Sequence, residues 1–165
     1  MRALMIVAAM TTAAAAETPD NEVETQVLAF VARGAAVGYE HGLTPKWSAE
    51  ASLGLRGAAL GDYTSTTWTL GVEARWWYRT AMDGPYVGLH ASAGRTSLAM
   101  SDGGDAIGHS WGFEQRVDFG WRFIIKKRLA ITPSIGIGEH EDVDHAFAAG
   151  AHPVGAFACA VGFLF

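Results

Sequence analysis

Charged side chains recur at alternate positions in several stretches of this sequence, in numbers that would allow them to pair. Glu73 and Arg75, for example, lie two residues apart and face the same side of an extended strand. Five acidic and five basic residues occupy such positions, and a closed interior would require this balance because an unpaired buried charge is costly. The predicted lumen charge network comprises Glu40, Glu50, Arg56, Glu73, Arg75, Arg79, Glu114, Arg116, Asp118 and Arg122.

A second group of polar residues has the side-chain types of a divalent-cation site. Segment 139–145 reads EHEDVDH, and His152 follows it. Carboxylates and imidazoles are common metal ligands, but their spacing here matches neither the EF-hand loop nor a zinc template. An ordinary solvated loop is the expected structure, so we predict no metal site and no cofactor. The sequence leaves open whether this acidic loop binds a cation.

Extended strands must position these residues, because period-two alternation runs through the chain after its first 16 residues and helical spacing does not. The segment 24–41 fits either one strand or two. The other alternating segments are 46–56, 67–79, 85–96, 109–123, 129–138 and the C-terminal segment that ends at Phe165.

Short and long connections alternate along the chain, which is typical of outer-membrane barrels with short periplasmic turns and longer outer loops. A chain that starts in the periplasm needs one strand before the strand that ends at Tyr39, and this favours eight strands over seven. The sequence therefore predicts an all-β, eight-stranded antiparallel up-and-down transmembrane barrel. The short connections are near 42–45, 81–84 and 126–128, and the longer ones are 58–65, 100–108 and 139–151.

Large aromatic residues lie near both ends of the apolar faces. Trp68 and Trp76 are eight residues apart, and Trp111 and Trp121 are ten apart. At about 3.3 Å per residue and a tilt of about 40°, these separations span roughly 20 to 25 Å, close to the height of a lipid-facing band. The predicted aromatic girdle comprises Tyr39, Trp47, Trp68, Trp76, Tyr78, Trp111, Trp121 and Phe165.

The N-terminal residues have the features of an export signal. Met1 and Arg2 give a positive start, 3–10 is apolar, and 14–16 offers a small-residue cleavage site. We therefore expect a signal peptide at 1–16 and the barrel domain at 17–165. The alternative, an alanine-rich helix of the folded domain, is less favoured because polar sequence with a proline follows directly.

Composition sets further limits on the class of protein. Half of the residues are hydrophobic and 18% are charged, which argues against disorder, and the net charge of −5 argues against nucleic acid as a partner. Cys159 is the single cysteine, so no internal disulfide can form. Segment 146–165 has no formal charge and is long enough for a membrane helix, but its glycines and its period of two favour a strand.

The apolar outer faces, the charged inner faces and a last strand that ends on Phe165 together resemble a known group of proteins. These are the small eight-stranded outer-membrane barrels of Gram-negative bacteria, including OmpA-like and OmpX-like proteins. The stretches 37–41 (VGYEH) and 47–48 (WS) also look like the corresponding stretches of uncharacterised members of this group. The resemblance implies an outer-membrane location, contact with outer-membrane lipid and lipopolysaccharide, and insertion by machinery that reads the C-terminal strand. We expect a monomer.

His90 and Ser92 form a His-x-Ser pair, and some small outer-membrane barrels that deacylate lipid A use such a pair with a carboxylate. The sequence departs from that pattern, since Ala93 stands where the deacylase motif has Asn. Alternation also directs both side chains into the lumen, and the spacing reveals no partner carboxylate. We therefore predict no catalytic residues and no enzymatic activity.

The favoured function is that of a non-enzymatic outer-membrane barrel with a plugged, charge-paired lumen, which serves envelope structure or surface interaction through its outer loops. Eight strands leave too little room for a porin-type channel. One alternative is a soluble exported barrel that buries the tryptophan-rich faces around a small apolar ligand. A lipid A-modifying enzyme is a third and weaker hypothesis.

Overall fold

The computed structural model describes residues 20–27, 34–101, 106–143 and 150–165. Eight antiparallel strands follow one another in chain order around a closed barrel, and the first pairs with the last. The predicted all-β, eight-stranded antiparallel barrel is confirmed. The strands are β1 (Asn21–Gln26), β2 (Gly34–Thr44), β3 (Trp47–Leu60), β4 (Tyr63–Trp77), β5 (Gly84–Met100), β6 (Ala106–Ile125), β7 (Leu129–Asp142) and β8 (Gly150–Leu164).

The segment 24–41 contributes two strands rather than one. β1 ends at Gln26, β2 begins at Gly34, and the two pair in register as far as Thr25 with Val37. The predicted signal peptide lies in residues 1–19, which are outside the described residues, as are 28–33, 102–105 and 144–149. The expected signal peptide therefore stays a prediction.

The connection between β3 and β4 is much shorter than the predicted loop 58–65. Leu60 pairs with Tyr63, so that Gly61 and Asp62 alone make the turn. Gly61 has a φ of +64°, a left-handed conformation that glycine adopts without a Cβ clash. The prediction of a long loop here was wrong, because small and polar residues continued the strand pairing.

The other two predicted long connections are also partly strand. β5 extends to Met100 and β6 begins at Ala106, while β7 extends to Asp142 and β8 begins at Gly150. Polarity marked where the apolar band of the barrel ends, but the backbone hydrogen bonds between strands continue beyond that point. The boundaries 100–108 and 139–151 were therefore too wide.

Side chains alternate between an apolar outer surface and a polar interior. On β4, Trp68, Leu70 and Val72 are 53, 63 and 57% exposed, whereas Glu73 and Arg75 are 7 and 3% exposed. A soluble ligand-binding barrel would show the reverse, with its tryptophan-rich face as the core. The alternative in which these faces line an apolar ligand pocket is therefore wrong.

Among the described residues, no helix is long and apolar enough to cross a membrane. The uncharged segment 146–165 instead supplies β8, which pairs with β7 on one side and with β1 on the other. The choice of a strand over a helix is confirmed for Gly150–Leu164, and residues 146–149 lie outside the described part of the chain.

A small apolar cluster closes the interior at the end of the barrel with the predicted short turns, which are 45–46, 78–83 and 126–128 in the structure. Met82 comes from the turn between β4 and β5, and its side chain is buried against residues of the strands. The same turn is tied to the neighbouring one, since the Ala81 amide donates to the Pro45 carbonyl over 2.8 Å. This floor cluster comprises Trp77, Met82, Tyr86, Ala130 and Leu164.

Candidate functional site

The barrel interior has two zones, an ion-paired plug next to the floor cluster and an open cavity above it. The cavity measures about 750 Å³. It extends from Glu73 and His90 to Arg56 and Ser65, near the Gly61 hairpin at the opposite end from the floor cluster. As formed by the described residues, the cavity is open at the hairpin end and closed at the other.

Arg122 on β6 lies at the centre of the plug and is almost fully buried. Its Nη1 is 2.7 Å from Glu22 Oε2, and its Nη2 is 2.6 Å from Glu40 Oε2 and 3.5 Å from Glu24 Oε2. The guanidinium also lies over the Trp77 ring, 4.9 Å from its centroid. One arginine from β6 thus holds three carboxylates from β1 and β2.

Arg75 on β4 is the second cation of the plug. It forms ion pairs with Glu40 and Glu50, and its Nε donates to Glu73 Oε1 over 3.0 Å. Glu40 therefore accepts from both arginines, and it also accepts from the Ser48 hydroxyl. These shared contacts tie β2, β3, β4 and β6 together through the interior.

Eight of the ten predicted lumen charges lie inside the barrel, and the two exceptions are Arg56 and Arg79. Arg56 is exposed at the rim of the cavity. Arg79 is exposed in the turn after β4, with its side chain beside Gly84, because β4 ends at Trp77 before the alternation reaches it. The assignment of Arg79 to the lumen was wrong.

The expected balance of five acids and five bases is also wrong. Glu22 and Glu24 are buried in the plug, although neither was among the predicted lumen charges. The alternation of Glu22 and Glu24 with Val23 was the signal that could have identified them. Among the described residues, eight carboxylates face the interior against three arginines. The carboxylates are Glu22, Glu24, Glu40, Glu50, Glu73, Glu114, Asp118 and Asp142, and the arginines are Arg75, Arg116 and Arg122.

A second group of charges lies at the base and on the wall of the open cavity. Arg116 Nε donates to Asp118 Oδ1 over 2.7 Å, and the same guanidinium pairs with Glu114. His90 Nδ1 lies 3.9 Å from Glu73 Oε2. These side chains come from β4, β5 and β6, which are neighbours in the barrel wall.

His90 and Ser92 both face the interior, as the alternation predicts. A partner carboxylate does exist, because Glu73 on β4 stands directly opposite His90 on β5. Spacing along the chain did not reveal this carboxylate, since cross-strand register brings together residues that are far apart in sequence. Among the described residues, no hydrogen bond joins His90 to Ser92.

The acidic segment after residue 138 divides between the two faces of β7. Glu139 and Glu141 are exposed on the outer face, while His140 and Asp142 face inward with His140 Nε2 3.4 Å from Asp142 Oδ1. His152 on β8 stands opposite His140, and their ring centroids are 5.3 Å apart. Residues 144–149 lie outside the described part of the chain.

The aromatic girdle residues all lie on the outer surface. Trp47 pairs with Trp76 between β3 and β4 near the short turns. At the other end, Arg95 stands between Trp68 and Trp111 on adjacent strands, a neighbour that the sequence analysis did not single out. The exposed residues of the predicted set are Tyr39, Trp47, Trp68, Trp76, Tyr78, Trp111, Trp121 and Phe165.

Comparison with known proteins supports the fold and identifies a family. No curated protein matches the chain significantly. Among solved structures, the N-terminal β-barrel domain of Pseudomonas aeruginosa OprF is similar, with a TM-score of 0.54 and 12% identity, covering 90% of this chain and 98% of that one. At this identity the likeness concerns the fold alone, and it agrees with the expected OmpA-like architecture. The family model described as "Protein of unknown function (DUF3575)" matches residues 3–152, and the chain therefore belongs to the DUF3575 family.

Proposed function

We propose that this protein is an outer-membrane β-barrel with a closed lumen, which acts without catalysis in envelope structure or in surface interactions at its outer end. The observation that carries the proposal is the inverted distribution of side chains. Large apolar residues cover the outside of every strand, and charged or polar side chains face the inside. Exposed apolar surface of this extent is unfavourable in water and favourable in lipid.

The outer surface supports a membrane-spanning orientation. The Trp47–Trp76 pair near the short turns and the Trp68–Arg95–Trp111 row near the other end bound the apolar surface. Aromatic side chains with a polar atom favour the two membrane interfaces, and an arginine beside them suits anionic headgroups. In the orientation that we propose, the short turns face the periplasm and the Gly61 hairpin faces outside.

The interior supports a structural role rather than a conducting one. Arg122 and Arg75 connect carboxylates from several strands across the lumen, and the floor cluster seals the end below them. An eight-stranded barrel is too narrow for a porin-type channel. The outer end offers the surface for interactions, since strands extend past the Trp68 row to the 61–62 turn.

Membrane fractionation followed by electrophoresis with and without boiling tests the proposal. We expect a band in the outer-membrane fraction whose mobility changes on boiling, since a closed barrel resists detergent until it is heated. A soluble periplasmic protein with unchanged mobility would contradict the proposal.

Two matched variants sharpen this experiment. Leu70→Arg puts a charge on the outer face, where arginine near the bilayer midplane costs about 2 to 4 kcal/mol. Ser65→Arg puts the same side chain at the rim of the cavity. We expect assembly to fail or weaken for Leu70→Arg only. Equal assembly of both variants would count against a lipid-facing outer surface.

A further inference from the structure

We propose that Glu73, His90 and Asp118 bind a divalent transition-metal ion of the Zn²⁺ type at the base of the outer cavity. The inference depends on the interior geometry of the barrel and stands whether or not the proposed cellular location is correct. It assigns a ligand class to a cavity that the proposed structural function does not use.

Three neighbouring strands supply the three ligands. Each residue offers one ligand atom, and these atoms all lie within 4.8 Å of one another. The His90 Nδ1 to Glu73 Oε2 distance is 3.9 Å, while two ligands of one tetrahedral zinc ion with bonds of 2.0–2.2 Å are roughly 3.4 Å apart. Side-chain rotations that shorten the distances between these ligand atoms would therefore bring all three within bonding distance of one ion.

Asp118 supplies an independent indication of a ligand. Its Oδ1 accepts from Arg116 Nε, but its Oδ2 is buried and has no hydrogen-bond partner among the described residues. The residue as a whole is only 3% exposed. A buried carboxylate oxygen without a donor is unfavourable, and coordination of a cation would satisfy it.

The surrounding charges favour a cation. Eight interior carboxylates face three interior arginines among the described residues, so the lumen carries an excess of acidic groups. Arg75 donates to both oxygens of Glu73, but it also pairs with Glu40 in the plug and with Glu50, which stands opposite Glu73 on β3. The arginines therefore orient the ligand carboxylates without balancing their charge, which is how residues behind a metal ligand commonly act.

The cavity lets an ion reach the site from the hairpin end, and the plug prevents the ion from passing further through the barrel. Glu73 and His90 line the cavity, which opens at the end with the Gly61 hairpin. Glycines on adjacent strands leave room for two of the ligands, since a Cβ at Gly88 would overlap Glu73 and one at Gly136 would overlap Asp118. Because the plug closes the other end, the arrangement fits capture of an ion from outside rather than its passage.

The His90 imidazole indicates which class of metal ion the site would bind. A set with one nitrogen and two carboxylate oxygens suits first-row transition ions better than Mg²⁺ or Ca²⁺, which prefer oxygen ligands alone. The other acidic cluster, Glu22, Glu24 and Glu40, offers no nitrogen and already surrounds Arg122. It is the weaker candidate.

Calorimetric titration of the full barrel, refolded in detergent micelles, with ZnCl₂ and with CaCl₂ tests the inference. We expect one zinc ion per chain and much weaker binding of calcium. His90→Gln should weaken zinc binding at least tenfold. His109→Gln is the matched control, since His109 is exposed and bonds to Ser97 away from the cavity base. Asp118→Asn removes a second ligand and keeps the test valid if His90→Gln does not refold.

A third variant separates this site from the histidine pair at the mouth. His140→Gln removes the residue that faces His152, and it should leave the site at the cavity base intact. Loss of zinc binding in His140→Gln with retention in His90→Gln and Asp118→Asn would overturn the inference. Failure of the wild-type chain to bind zinc at about 0.1 mM, well above the affinity range of protein zinc sites, would overturn it equally.

Discussion

Arg122 and Glu40 form an ion pair that joins opposite walls of the barrel, with Arg122 Nη2 2.6 Å from Glu40 Oε2. The residues lie on β6 and β2, which are four strands apart in a closed ring of eight. Both side chains are almost fully buried. A contact between facing walls explains how two arginines are enough to close the lumen, since each one reaches carboxylates from several strands.

Removing this arginine should destabilise the barrel strongly. Arg122→Leu leaves Glu22, Glu24 and Glu40 without their shared cation, and loss of one partner of a buried pair costs about 3 to 5 kcal/mol. Urea unfolding of the protein refolded in micelles, followed by tryptophan fluorescence, measures the change. Arg56→Leu is the control, because Arg56 is exposed at the rim and a surface change of this kind stays within about 0.5 kcal/mol. Equal unfolding midpoints for both variants would mean that the plug does not stabilise the barrel.

Two adjacent tryptophans report on the two faces of β4. Trp76 is 39% exposed on the outside, whereas Trp77 is fully buried with its Nε1 donating to Ser48 Oγ over 2.7 Å. In vesicles of brominated lipid, bromine quenches only indoles near the acyl chains. We expect Trp76→Phe to lower the quenched fraction of the emission and Trp77→Phe to raise it. The same change in both variants would show that the faces are assigned incorrectly.

The turn between β6 and β7 stores backbone strain. Lys126 and Lys127 have φ values of 51° and 65°, and the Arg128 amide donates to the Ile125 carbonyl. Positive φ at both central residues defines a type I′ turn, which favours Asn-Gly. A side chain in this region costs about 1 to 2 kcal/mol relative to glycine. We expect Lys127→Gly to raise the free energy of unfolding by about 1 kcal/mol, whereas Arg128→Gly, which is not at a positive φ, should give no such gain in the same urea assay.

Close packing of β6 against β7 depends on one glycine. A Cβ at Gly138 would overlap the Gln115 carbonyl oxygen and the Arg116 Cα, both backbone atoms of β6. At Gly155 on β8, by contrast, a Cβ would meet nothing within 4 Å. Gly138→Ala should therefore cost about 1 to 3 kcal/mol through overpacking, and Gly155→Ala should be nearly neutral. Similar heat-induced mobility shifts at the same temperature for both variants would contradict this packing.

Much of the fold was predictable from the alternation of apolar and polar residues along the chain. The alternation around Glu73 and Arg75 predicted which side chains share a face, and the short turns predicted an eight-stranded barrel. The pattern failed at strand ends, where Arg79 was assigned to the lumen although β4 ends at Trp77. It also failed between residues 58 and 65, because backbone pairing does not depend on an apolar face.

The candidate site was only partly predictable. Glu73 and Asp118 were expected to face the lumen, and the alternation directed His90 there as well. Nothing in their spacing indicated that the three converge. Their meeting depends on Glu73 standing opposite His90 and on Gly88, two residues before His90, standing opposite Asp118.

The sequence by itself determined the two faces of each strand, because the direction of a side chain follows from its position in a repeat of two residues. Only the tertiary structure decided which strands face each other and in what register. Register depends on how eight strands tilt and close into one ring. That closure brought Glu22 and Glu24 to Arg122, left Arg56 at the rim, and placed an imidazole between two carboxylates at the base of an open cavity.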